Sequence, residues 1–385
     1  MNDASSKTLP PEIITLVFEE FDYDVESLRK CSLVCKSWRS LALPFLFHHI
    51  CLPDGETFLN AFRLLVVDAP HIGQYVREIM IGQSSRYSQP GGVPLPEANK
   101  ERLEALFLSL PRLKVLHCGF GAHLAMPPAL VRPSITTLHI HGTIEPLSYF
   151  LMVLQSAAET IRFLTLENMS YLAVPPGSLR WRTMSSPSRM LALEELSIVW
   201  CDGLSFPPST LQMPNLRTLV LYNSDESILP CVPVSLETLV IHIDPDISLP
   251  PNRLLNVENV VAFCYIIDAD DQLSERALAN FCVTSAIKRL EVMLLFLDGL
   301  NDTLSSFASM VDEGFETDML RLHRHGSLQQ VIVSSKFCSE GVRALFPKLS
   351  SLGILEVRTG ASSLLAPRRS QFTDAFDGSW SWTSY

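Results

Sequence analysis

Three imidazoles are the nearest thing in this chain to a ligand set. His139 and His141 alternate onto one face of an apolar strand pattern, and His117 occupies the equivalent slot one pattern earlier. Neutral imidazole nitrogens gathered in this way could hold zinc, but solvent-facing strand positions are polar in any case, so the expectation is no metal and no cofactor. Cys31 and Cys35 stand one helical turn apart. No second ligand pair follows them at zinc spacing, which leaves core packing as their expected role. A phosphate-cradling glycine loop, a G-x-S-x-G turn, an H-E-x-x-H pair and a C-x-x-C pair are all missing from the sequence. The expectation is therefore a protein without catalytic residues, acting by binding.

Charge narrows what it could bind. The formal net charge is −11, and the longest Lys/Arg run is the pair Arg368-Arg369, so the sequence lacks the basic footprint of a nucleic-acid binder. Its apolar runs fall short of the roughly 18 to 20 residues a membrane-spanning helix needs, so no membrane partner is expected. Nine scattered cysteines and no leader-like N-terminus point to a reducing cytoplasmic or nuclear compartment. With 47% hydrophobic and 18% charged residues over 385 positions, the chain can bury a large core, as two domains or as one elongated array.

The elements that must position any site begin with a helical module spanning residues 5–52. Pro10 and Pro11 sit where a first helical turn tolerates a missing N–H, and Ile13, Val17 and Phe21 recur at four-residue spacing. Asp24 is placed to cap a second helix, from which Leu28 and Cys31 face inward. A third helical pattern carries Val34, Cys35, Trp38, Leu41 and Ala42, with Pro44 expected to stop it. Forty residues lie near the lower limit for an independent core. Leu9, Pro10, Ile13, Trp38, Phe45 and Phe47 are more large apolar groups than three short helices can hide, which predicts a docking patch.

These residues resemble an F-box: Leu9-Pro10-x-Glu12-Ile13, Val17-Phe18, Leu28, Leu33-Val34-Cys35-Lys36-x-Trp38 and Leu46-Phe47 follow its order and spacing. Phe21 stands in place of the commoner leucine and Phe47 where many members carry tryptophan. The resemblance implies a face that inserts into a Skp-family adaptor and, through it, reaches a cullin. Carried over to this sequence, the adaptor-binding residues would be Leu9, Pro10, Glu12, Ile13, Val17, Leu28, Val34, Trp38, Phe45 and Phe47.

Beyond a helical linker over residues 53–75, one pattern recurs: apolar, two residues, apolar, one residue, apolar. Its instances are Val76-Ile79-Ile81, Leu113-Leu116-Cys118, Ile135-Leu138-Ile140, Ile161-Leu164-Leu166, Leu193-Leu196-Ile198 and Leu216-Leu219-Leu221. It continues with Leu236-Leu239-Ile241, Val257-Val260-Ala262, Ile287-Leu290-Val292, Leu328-Val331-Val333 and Leu352-Leu355-Val357. The spacing runs from 20 residues, Leu219 to Leu239, to 41, Leu290 to Val331. Segments such as Pro-Asn-Leu-Arg-Thr-Leu at 214–219 resemble leucine-rich-repeat strand starts, with Asn168 and Asn223 as traces of the asparagine ladder. The expected fold is thus α plus α/β, a small F-box followed over residues 76–360 by an irregular leucine-rich-repeat-like solenoid with a parallel sheet on its concave face. Helices are expected over 101–110, 148–158, 272–283 and 339–346, and an irregular return over 223–234. Residues 83–96 and 175–189 read as exposed insertions, and 361–385 as a cap or a disordered tail.

Solvent-facing positions beside the buried strand residues nominate His117, His139, His141, Tyr222, His242 and Glu291 for contact with a protein substrate, with Glu167, Glu195 and Arg358 as further candidates. The expected function is a non-catalytic substrate receptor of a Skp-cullin-F-box type ubiquitin ligase. The rival expectation is a scaffold that uses the same modules without a ligase.

Overall fold

A computed structural model describes residues 9–21, 24–52, 55–82, 100–119, 132–142, 153–167, 188–199, 201, 211–222, 235–243, 256–266, 288–296, 313–334 and 339–358. The insertions at 83–96 and 175–187, the segments 223–234 and 272–283, Asn168, Asn223 and the tail 361–385 lie outside them. The chain divides into two compact units, 1–164 and 165–385.

The first unit opens with three helices, α1 (Pro11–Glu20), α2 (Val25–Ser32) and α3 (Lys36–Leu46). Pro11 starts α1 at a position whose N–H would be unpaired anyway. Asp24 caps α2 as expected, its carboxylate accepting from the Ser27 N–H at 3.1 Å. At α3 the structure differs from expectation twice. Cys35 is exposed rather than inward, and its Sγ takes the capping role by accepting from the Trp38 N–H at 3.4 Å. Pro44 does not stop the helix, which runs to Leu46. It sits in the last turn, where a missing N–H forfeits one bond, and both Phe45 and Leu46 are held by the core.

That core consists of Ile14, Phe18, Leu28 and Ala42, with Phe21, Cys31, Trp38, Leu41, Phe45 and Leu46 packed around it. Phe18 is fully buried. Trp38 and Phe45 meet its ring edge-on at centroid distances of 5.7 and 6.1 Å, the arrangement the aromatic quadrupole favours. The inward face of α1 is therefore Ile14 and Phe18, while the stripe formed by Ile13 and Val17 looks outward.

After α3 the chain enters β1 (His49–Leu52), which pairs in parallel with β2 (Glu78–Ile81). The sheet thus begins inside the stretch assigned to the helical module, and its first strand precedes the first recognised repeat. Between them lie α4 (Gly55–Phe62), a π-helical segment Arg63–Asp68 and a 3₁₀ segment Pro70–Tyr75. Then follow α5 (Lys100–Leu108), β3 (Val115–Gly119), β4 (Thr137–His141), a helical stretch at 153–157 and β5 (Phe163–Glu167), which straddles the boundary between the units. Ile79, Leu116 and Leu138 stand in one cross-strand row and Ile81, Cys118 and Ile140 in the next, all buried. Gly82 ends β2 with φ +86°, where a Cβ would lie 2.1 Å from the Gly119 carbonyl oxygen.

The second unit contains β7 (Glu195–Val199), β9 (Thr218–Tyr222), β10 (Ser235–Ile243), β11 (Asn256–Ile266), β12 (Arg289–Phe296), β13 (Gln330–Ser334) and β14 (Leu355–Arg358), parallel and adjacent in that order. The short strands β6 (Ser188–Arg189) and β8 (Leu211–Gln212) pair separately. Helix α6 (Glu313–Arg324) precedes β13, and α7 (Ser339–Leu345) and α8 (Pro347–Ser351) precede β14. Leu196, Leu219, Leu239, Val260, Leu290, Val331 and Leu355 form one continuous row, the register the apolar pattern predicts. The last repeat departs from it: Leu352 is exposed and Ile354 takes the buried place.

The alternate positions of these strands are not solvent-facing as expected. Glu195, Ser197, Val199, Val220, Val240, Glu291 and Ile332 are all buried, so the sheet is covered on both faces there. Parallel strands covered on both faces carry continuous apolar runs, and Leu219-Val220-Leu221, Leu239-Val240-Ile241 and Val331-Ile332-Val333 are such runs. Among the described residues, no helix is long and apolar enough to cross a membrane.

Candidate docking and partner-binding residues

Apolar side chains crowd the surface of the three-helix module. Leu9 is 56% exposed, Ile13 44%, Leu16 55%, Val17 44%, Leu33 79% and Val34 63%. Ile13, Leu16 and Val17 share one face of α1 at i, i+3 and i+4, and Leu33 and Val34 form the turn between α2 and α3. Pro10 and Glu12 are exposed beside them. A core only four fully buried residues deep has no room for this second apolar set.

Six of the ten predicted docking residues, Leu9, Pro10, Glu12, Ile13, Val17 and Val34, thus lie on the surface. Leu28 does not: it is fully buried between the helices and is a core residue. Apolar spacing alone could not separate the two roles, because core and docking face draw on the same side chains. Trp38 and Phe45 are half-buried against Phe18, and half-buried Phe47 ends α3 with its N–H donating to the Leu43 carbonyl at 3.1 Å. Leu16 and Leu33 were not among the predicted residues, although the i+3 position of Leu16 from Ile13 was a usable signal.

Two of the three imidazoles meet, and their geometry does not suit a metal. His117 and His139 stack with centroids 4.3 Å apart and planes 6° from parallel. Nitrogen lone pairs lie in the ring plane, so stacked rings cannot aim theirs at a shared ion. Among the described residues no group of three or more His, Cys, Asp or Glu is placed to hold one. Instead, His117 Nε2 approaches Glu78 Oε1 at 2.7 Å, a pairing of residues 39 apart in sequence. His141 is half-buried at the end of β4. Burial also pushes the Cys118 thiol up, which removes it as a nucleophile.

Of the remaining nominated residues, Glu291 is fully buried, with Arg289 Nη2 3.3 Å from its Oε2, and Glu195 is buried as well. Neither presents a carboxylate to a partner. Arg358 is half-buried and donates from Nε to Glu356 Oε1 at 2.5 Å, and Glu167 is half-buried. Tyr222 and His242 lie on β9 and β10, but their side chains fall outside the described set.

Residues 7–53 match the F-box-like family, a span that takes in all three helices and β1. The N-terminal segment is therefore an F-box-like domain, and this supports an F-box protein whose remaining chain is a mixed helical and parallel-sheet structure. No curated protein matches the chain.

Proposed function

We propose that the protein is a substrate-recognition adaptor of a Skp-cullin-F-box type ubiquitin ligase, working in the cytoplasm or nucleus as a non-catalytic subunit. The F-box-like domain docks a Skp-family adaptor and through it a cullin. The rest of the chain, read as an irregular leucine-rich-repeat-like solenoid, holds a protein substrate. The observation that carries the reading is the exposure of Leu9, Ile13, Leu16, Val17, Leu33 and Val34 on a domain that matches the F-box-like family. Large apolar groups grouped on so small a domain mark a surface that a partner covers. The consecutive, in-register parallel strands favour a stacked array for the second module.

Capture of a purified Skp-family adaptor by the intact protein tests this. Leu9→Ala with Pro10→Ala should abolish capture while the thermal melt of the remainder is unchanged. Undiminished capture by the double variant would refute the docking assignment. Adaptor binding without copurifying cullin would favour a scaffold outside the ligase.

A further inference from the structure

The three-helix module carries two exposed strips that are built alike and differ in sign. On α1, Glu12, Leu16 and Glu20 recur at four-residue spacing, with Ile13 and Val17 in the adjacent row and Glu19 one turn beyond Leu16. All of these side chains are exposed. At the turn between α2 and α3, exposed Leu33 and Val34 stand between Arg29, one helical turn before Leu33, and Lys36 and Arg39 at the start of α3. These three cations are exposed as well. Each strip is thus apolar with one sign of charge beside it, acidic on α1 and basic at the turn.

Helix stability does not account for these signs. The helix macrodipole favours carboxylates in a first turn and cations in a last turn. α2 obeys, with Asp24 and Glu26 at its start and Arg29 and Lys30 at its end, Lys30 Nζ lying 2.7 Å from Glu26 Oε1. α1 ends instead on Glu19 and Glu20 with no basic residue in its last turn, and α3 opens on Lys36 with no acidic residue in its first. Charge set against the dipole weakens both helices, yet it places an acidic strip and a basic one on the same small module.

The helix segments that carry the strips touch. Phe18 of α1 and Trp38 of α3 meet edge-on with centroids 5.7 Å apart, and in the chain Val17 and Glu19 border Phe18 while Arg39 borders Trp38. In an interface with two-fold symmetry the same surface is used by both copies, and every contact occurs twice. Such an axis lays the α1 strip of each copy over the turn of the other, apolar on apolar and acid on base.

We propose that, without another partner, this face is covered by a second copy of the chain in a two-fold dimer. Glu19 and Glu20 of each protomer face Lys36 and Arg39 of the other, around Leu16, Val17, Leu33 and Val34. Charge complementarity selects the occupant, because both halves of the contact are present on one chain. A head-to-tail arrangement would leave one strip open at each end and grow further, whereas the two-fold axis closes at two copies. The inference goes beyond the proposed function: the dimer and a Skp-family adaptor would compete for Leu33 and Val34, and only that competition rests on the adaptor reading.

Sedimentation velocity on the full-length protein without adaptor, over a wide range of concentration, tests it. The mass should rise from one chain to two and no further, and added salt should weaken the dimer. Glu19→Lys with Glu20→Lys makes the face basic throughout, and Lys36→Glu with Arg39→Glu makes it acidic throughout. Each variant alone should dimerise about tenfold more weakly or worse. Mixed in equal amounts, they should dimerise as tightly as the parent, because both contacts again join opposite charges. Both variants place charge as the macrodipole prefers, so their circular dichroism melts should lie at or above the parent's. Glu12→Lys and Arg29→Glu repeat the exchange should either melt show an unfolded protein. A monomeric parent, assembly beyond two chains, a dimer indifferent to salt, variants that dimerise like the parent, or a mixture that stays monomeric would each overturn the proposal. Skp-family adaptor capture is measured on the same preparations. A dimer that captures no adaptor removes the ligase reading alone, and capture by a parent that never dimerises removes this inference alone.

Discussion

His117 bridges two strands in two ways at once: its Nε2 lies 2.7 Å from Glu78 Oε1 on β2, and its ring stacks 4.3 Å from that of His139 on β4. His49 stands opposite Glu78 on β1 and is half-buried. Burial pushes the Glu78 carboxyl upward, but the bond from His117 and the charges of His117, His49 and His48 outweigh it and hold the group below its ordinary value. Burial also pushes His49 below its ordinary value, the carboxylate of Glu78 opposing and His117 and His48 reinforcing the shift.

Both shifts make acid unfavourable. The folded forms of Glu78 and His49 bind protons less readily than the unfolded chain does, so stability rises with pH wherever the unfolded state holds more protons. The His49 contribution is complete above its unfolded value of about 6.5 and is lost as pH falls through the folded value below it. That of Glu78 follows from about 4.5 downward. Thermal melts should show a falling midpoint between pH 7.5 and 5.5, and His49→Phe should reduce that fall. An identical slope in the variant would remove His49 as its source.

Phe18 and Leu33 separate folding from docking. Phe18→Ala empties the centre of the three-helix core and should cost about 3 to 5 kcal/mol, with adaptor capture lost because the domain unfolds. Leu33→Asp alters a side chain that is 79% exposed and should abolish capture with a melt close to the parent's. If Leu33→Asp melts like Phe18→Ala, the turn between α2 and α3 is structural.

Gly82 and Gly326 both have positive φ, +86° and +80°, yet only the first meets neighbouring atoms. Alanine at Gly326 should cost about 1 to 2 kcal/mol for the left-handed backbone. At Gly82 the same strain is joined by a Cβ that would sit 2.1 Å from the Gly119 carbonyl oxygen, which forces β2 and β3 apart. Urea titration should place Gly82→Ala clearly below Gly326→Ala. Equal midpoints would mean that the ends of β2 and β3 yield without cost.

Glu291 provides a test of the covered sheet face. Removing the carboxylate in Glu291→Ala leaves Arg289 without that partner and should lower stability by about 3 kcal/mol, somewhat less because Arg289 is partly exposed. Partner capture at a temperature where the variant is folded should be unchanged. Lost capture with an unaltered melt would restore Glu291 to a binding surface.

The strand register was legible in the sequence because alternation at period two places every second side chain on one face, and in β3 and β4 a one-residue slip would have turned Leu116 and Leu138 together out of the core. The F-box-like helices were legible because their apolar residues recur at separated positions that agree with one another. Other features depended on tertiary structure. Whether Leu28 and Leu33 are core or surface depends on which helix packs over each, and both are leucines in a helical pattern. Glu291 is chemically a surface residue, and only the cover on its face buries it. The pairing of Glu78 with His117 joins residues 39 apart, and it exists only because parallel strands bring β2 and β3 side by side. Local chemistry sets which way each residue can face along its own strand or helix, whereas what lies opposite it is decided by chain brought back from elsewhere.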